Sequence, residues 1–238
     1  MKTYYVPMLL AFVLCACSSL KQGVSGDMST PSLGAIGKQD KSLLSTNFKQ
    51  VGEPVLTNTI ALSVNAVPFS KSTFKDYTNV KVQKGEKVFV SYVDSLPTKP
   101  KYLRFEIKDK IGLKTLLNSE ENKQVQSYLT TDADCKIVSS ISVQMDEMEA
   151  DAYLHAEGLF LTTDTNGLLK IQLVNGKQKQ LINLSKNEIF DYEVMGFCWG
   201  ENRYGQPQIE TLNTGGSCPE GTEKNAQKLD DLQTFLKL

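Results

Sequence analysis

The chain has 238 residues, a formal net charge of −1 at pH 7, 40% hydrophobic residues and 22% charged ones. This near-neutral balance leaves no basic footprint for nucleic acid, and the apolar share excludes a wholly disordered chain. A single histidine excludes a histidine-rich metal centre.

The first sixteen residues stand apart from the rest. Met1-Lys2 is a short basic start, Tyr4 to Leu14 is an apolar run of eleven, and Leu14-Cys15-Ala16-Cys17 follows with Ser18-Ser19 behind it. Eleven residues are too few to cross a hydrocarbon core that takes about twenty. That length after a positive charge fits the hydrophobic region of a signal peptide. Leu14 to Cys17 resembles the lipobox of bacterial lipoproteins. The resemblance implies cleavage after Ala16, a diacylglycerol on the Cys17 sulfur and, usually, an acylated new amino group. Cys15 would leave with residues 1–16. Each buried chain carbon contributes ~0.8 kcal/mol, so two or three acyl chains would hold the protein on a bilayer. Serine after the cysteine resembles the outer-membrane sorting default, and Ser18 to Gln22 lacks the acidic cluster that marks surface export. The expected address is therefore the outer membrane, facing the periplasm. Residues 17–41, rich in Gly and Ser, are expected to be a flexible tether, and residues 42–238 one globular domain.

Within that body, Ile60, Leu62 and Val64 alternate as in a half-buried strand that Pro68 ends. Val80–Val82 and Val88–Val93 around Lys84-Gly85-Glu86 predict two strands and a turn. Tyr102–Ile107 predicts another strand. Lys110–Asn118 is a helix candidate interrupted by Gly112. Ser119-Glu120-Glu121 opens a second helix through Val125, Tyr128 and Leu129, with the serine as cap. Cys135–Val143 returns to β-type residues, with Ile137, Ser139, Ile141 and Val143 on one face. Glu147–Gly158 has helix-forming residues, but Ala152, Leu154, Ala156 and Phe160 alternate, and it is read as strand.

Asn166-Gly167 and Asn175-Gly176 each lie between apolar runs and predict type I′ hairpins, whose central residues need positive φ. Leu159–Thr163, Leu168–Val174 and Gln178–Leu184 then form a meander, with Ile189–Trp199 as its fourth strand. Gly200–Gly221 reads as a loop. Leu229, Leu232, Phe235 and Leu236 share one face of a C-terminal helix. The sum predicts an α+β fold, a mainly antiparallel sheet with two or three helices, one of them C-terminal; a β-sandwich is the alternative.

Beyond the anchor, the cysteines are Cys135, Cys198 and Cys218. Cys198 and Cys218 flank a turn-rich loop and are paired here as a disulfide, with the other arrangements left open. Cys135 opens an apolar strand and reads as a small buried hydrophobe. No Cys-x-x-Cys or cysteine–histidine cluster exists, so no metal or other cofactor is expected.

His155 and Glu157 would point the same way on a strand, and a carboxylate beside an imidazole can orient a general base. No Gly-x-Ser-x-Gly nucleophile motif accompanies them. Asp132-Ala133-Asp134 and Asp164 to Gly167 lack the glutamate that a calcium loop carries at its twelfth position, where Val143 and Asn175 stand. Both read as turns, and Asp146, Glu147, Glu149 and Asp151 as a solvated bend. Trp199–Gln208 holds the only tryptophan, with Asn202, Arg203 and Tyr204, residue types that dominate binding hot spots. This stretch is the expected docking surface for an envelope protein or a glycan. The expected function is a non-catalytic, lipid-anchored binding or scaffold protein of the bacterial envelope. The alternative is an envelope-acting lipoprotein enzyme with His155–Glu157 as its base. A two-lobed solute binder is disfavoured, because the alternating βαβ pattern is missing.

Overall fold

The computed structural model describes residues 30–41, 46–184 and 189–229. Cys17, Leu232, Phe235 and Leu236 lie outside these residues, as do the signal segment and most of the expected C-terminal helix. The strands are β1 (Ile36–Lys41), β2 (Thr46–Gly52), β3 (Ile60–Pro68), β4 (Lys101–Ile107), β5 (Cys135–Val143), β6 (Gly158–Thr163), β7 (Leu169–Asn175), β8 (Gln178–Ile182), β9 (Ile189–Glu201) and β10 (Pro207–Asn213). The α-helices are α1 (Lys71–Gln83), α2 (Lys110–Leu117), α3 (Lys123–Thr131) and α4 (Glu147–Leu154). The architecture is α+β. One sheet runs β10-β9-β5-β4-β3-β6-β7-β8, with β1 and β2 branching from β5.

Strand β5 is the hub. Along one edge it pairs with β9, and along the other it takes β1 near Cys135–Ile137 and β4 near Ser140–Val143. Apart from Lys136 every residue of β5 is buried, so both faces are covered and simple alternation disappears. The larger core gathers Ile137, Ile141, Phe105, Leu113, Leu117, Leu161 and Trp199. A second, aromatic cluster of Phe69, Tyr77, Tyr102 and Phe190 lies beneath α1.

Several elements differ from the sequence expectations. The tether does not extend to residue 41. Leu33, Ala35 and Ile36 are buried, and β1 is hydrogen-bonded into the sheet. Two of the glycines that suggested flexibility, Gly34 and Gly37, have structural roles. Gly34 has φ +83°, and a Cβ on Gly37 would collide with the Lys49 carbonyl oxygen of the adjacent strand.

Val80–Val82 is helix rather than strand. Ser70 and Thr73 form a reciprocal capping box, and Phe74, Tyr77 and Val80 follow at helical spacing into the aromatic cluster. Packing therefore overrides the β-preference of the valines. Val88–Val93 is irregular chain. Val88, Val90 and Tyr92 pack on the same cluster, while Phe89 is 83% exposed. Glu147–Leu154 is a helix, because Asp146 accepts the Glu149 amide at 2.8 Å and nucleates it. Ser119 makes no capping bond, and the turn it opens, Glu120–Asn122, is a 3₁₀ helix. Gly112 does not break α2: the Asp109 carboxylate caps its amide at 2.8 Å, where a Cβ would collide.

The meander has three strands, not four. β9 lies at the other end of the sheet, between β5 and β10. The Asn-Gly turns are not type I′, since among the described residues none other than glycine has positive φ. Asn175 is the last residue of β7, and Gly176 (φ +58°) starts a two-residue turn, the placement of a type II′ turn. At the other pair, Asp164 closes a longer loop by accepting the Asn166 and Leu168 amides.

The α2–α3 junction carries two asparagines that behave as short strands. Asn118 donates to the Ile209 carbonyl at 2.8 Å and accepts the Ile209 amide at 2.9 Å, closing part of the β10 edge. Asn122, fully buried, does the same for Val55 at 2.7 and 2.8 Å and also donates to the Leu116 carbonyl. Asn122→Ala should destabilise the fold by about 3 kcal/mol, because several backbone groups lose their partner away from water. Chemical denaturation checks this, and a loss under about 0.5 kcal/mol would show that water replaces the side chain.

Candidate functional site

The expected catalytic pair is not assembled. His155 ends α4, where its Nδ1 lies 3.0 Å from the Asp151 carbonyl oxygen. Glu157 precedes β6, and its carboxylate accepts the Gly176 amide at 2.8 Å, holding the β7–β8 turn. Its own amide donates to the Asn175 side chain. Both side chains stabilise local backbone, one a helix end and the other a hairpin.

The expected docking loop is divided. Trp199 belongs to β9 and is 1% exposed, with its amide and carbonyl bonded to Glu223 at 2.7 and 2.8 Å. Asn202 shapes the β9–β10 turn by accepting the Tyr204 and Gln206 amides. Of the four expected docking residues, Arg203 and Tyr204 are exposed: the guanidinium lies 4.7 Å from the ring centroid, and Tyr204 is 70% exposed. The stretch Gly200–Gly221 is therefore not one loop, because β10 lies within it.

The acidic stretches are turn and cap chemistry. Asp132 pairs with Lys38 and accepts the Asp134 amide; the Lys38 ammonium holds its carboxyl below the usual range. Asp146 caps α4. Among the described residues no three potential metal ligands cluster. Cys135 is a free, buried thiol whose pKa is pushed up by burial, the opposite of what a nucleophile needs.

What the sequence did not single out is a cleft of about 410 Å³. Its lining includes Gln39 of β1, Lys136 of β5, and Tyr192, Glu193 and Gly196 of β9, together with residues 213–218 from the end of β10 onward and Lys224. Cys198 and Cys218 form a disulfide that ties this segment back to β9. Asn213 shapes the segment from within, accepting the Gly215 amide at 2.8 Å and donating to the Ser217 carbonyl. The paired backbone of Trp199 and Glu223 sets Lys224 beside the cleft.

In register, Gly196 stands between Lys136 and Asn213, and a Cβ there would meet only the Asn213 carbonyl oxygen at 3.8 Å. The missing side chain thus leaves the space between the lysine and the loop open. Glu193 is held by Arg104 at 2.5 Å. Among the described residues, neither Lys136 nor Lys224 takes part in an ion pair. Burial raises the Tyr192 phenol, which keeps it protonated at neutral pH. The lysines, the amide side chain of Gln39 and the hydroxyl and amide groups of the loop give cationic and neutral polar walls beside the apolar Val194 and Phe197, and among the described residues no nucleophile–base pair lies in the recess.

No model of a known protein family, no curated protein and no solved structure matches this chain.

Proposed function

We propose that the protein is a bacterial envelope lipoprotein, anchored through acylated Cys17 and most consistent with the outer membrane facing the periplasm, whose body binds a ligand or partner without catalysis. The observation that carries the binding role is the disulfide-tied cleft, a preformed concave site of a size suited to a small molecule. What favours binding over the enzyme reading is that His155 and Glu157 are both engaged with backbone. The lipobox supports the address, and a disulfide fits an oxidising compartment. Thirteen peptide steps separate Cys17 from Thr30, the first described residue, so the body would sit within about 45 Å of its anchor.

Cells fed labelled palmitate should incorporate label into this protein, and Cys17→Ser should abolish it and release the body from the membrane fraction. Label that is absent, or retained by the serine variant, would remove the lipid anchor from this reading.

A further inference from the structure

The cleft walls carry more specific chemistry than a general binding role requires. Resting on the binding reading above, we infer that the cleft between β9 and the disulfide-tied segment takes a small anionic, hydroxyl-rich molecule, of the acidic or phosphorylated sugar class. Three observations lead there. First, Lys136 and Lys224 come from distant parts of the chain to the same recess, and neither is neutralised by a described carboxylate. Among the described residues, the one carboxylate in the lining, Glu193, is itself held by Arg104. The recess therefore keeps a positive excess next to low-dielectric protein, where attraction for an anion is stronger than in bulk water.

Second, the segment 213–218 that shares this lining offers hydrogen-bond donors. Asn213 uses the Gly215 amide to shape the turn, whereas the Gly216 and Ser217 amides find no acceptor among the described residues. Third, the volume of about 410 Å³ exceeds what a bare phosphate or carboxylate fills. Gln39, Thr214 and Ser217 are neutral polar groups suited to hydroxyls on the rest of such a ligand. Gly196 keeps the middle of the recess free for it.

The test is calorimetric titration of the full-length chain in detergent with glucose 6-phosphate, glucuronate and neutral glucose. At least one anionic sugar should bind at least tenfold more tightly than glucose, and the two anions show whether phosphate or carboxylate is preferred. Lys136→Gln and Lys224→Gln should each weaken that anion about tenfold while leaving the urea unfolding midpoint in place, and rising salt should weaken it further. Binding that is equal for glucose would overturn the anionic assignment while leaving the cleft a binding site. No binding of any probe at millimolar concentration, or unchanged affinity in both variants, would overturn the ligand class outright. Because palmitate labelling does not depend on the lysines, failure of the anchor and failure of the ligand class are read separately.

Discussion

Trp199→Ala is expected to lower the free energy of unfolding by about 3–5 kcal/mol, the cost of emptying a large buried aromatic site. Trp199 is 1% exposed and packs with the main core from β9, the strand that carries Cys198 and lines the cleft. Its backbone is bridged to Glu223, so the site has little freedom to collapse around a smaller side chain. Urea unfolding should show a lower midpoint at an unchanged slope. Trp199→Phe should recover part of the loss. By contrast, Tyr204→Ala, at the exposed tip of the same hairpin, should stay within about 0.5 kcal/mol of the parent. Equal effects at Trp199 and Tyr204 would show that the tryptophan is not the core residue described here.

Removing the disulfide is the second large effect. Cys198 and Cys218 are 20 residues apart, and losing a closure of that length should cost about 3 kcal/mol, chiefly by enlarging the unfolded ensemble. A Cys198→Ala/Cys218→Ala double variant should therefore unfold at clearly lower urea. It should also release the segment that lines the cleft, since Cys218 is its covalent tie to β9. Amide exchange at Thr214 to Ser217 should then accelerate beyond the general loss of stability. Unchanged local protection would mean that the Asn213 bonds to Gly215 and Ser217 hold the segment unaided.

Local patterns were reliable wherever one face of an element meets one environment. Ile60, Leu62 and Val64 alternate, and β3 runs Ile60–Pro68, its far end at the proline. Tyr102–Ile107 likewise lies within β4. Patterns misled where a cap or tertiary packing outweighed local propensity. Val80–Val82 reads as strand in isolation, but the Ser70–Thr73 capping box and aromatic packing make it helix. The alternation from Ala152 to Ala156 lost to the Asp146 cap.

Of the candidate site, Cys198 and Cys218 stood out by their turn-rich spacing, and the structure contains that bond. The cleft itself was not legible. Gln39, Lys136, Gly196 and Lys224 are ordinary residues in four separate stretches, and nothing in their local sequence relates them. What relates them is pairing: β5 accepts β1 on one edge and β9 on the other, and β9 then accepts β10.

The amino-acid order alone thus determined the mixed α+β character and the strands of the Asn-Gly hairpins, because each depends on residues within one or two turns of chain. Only the tertiary structure decided that β9 joins β5 rather than the meander, that residues 30–41 belong to the body, and that two lysines share a recess. The physical reason is the same in each case. Strand partners and facing side chains are chosen by burying apolar surface against residues far away in sequence, and that choice minimises the free energy of the whole core rather than of any one segment.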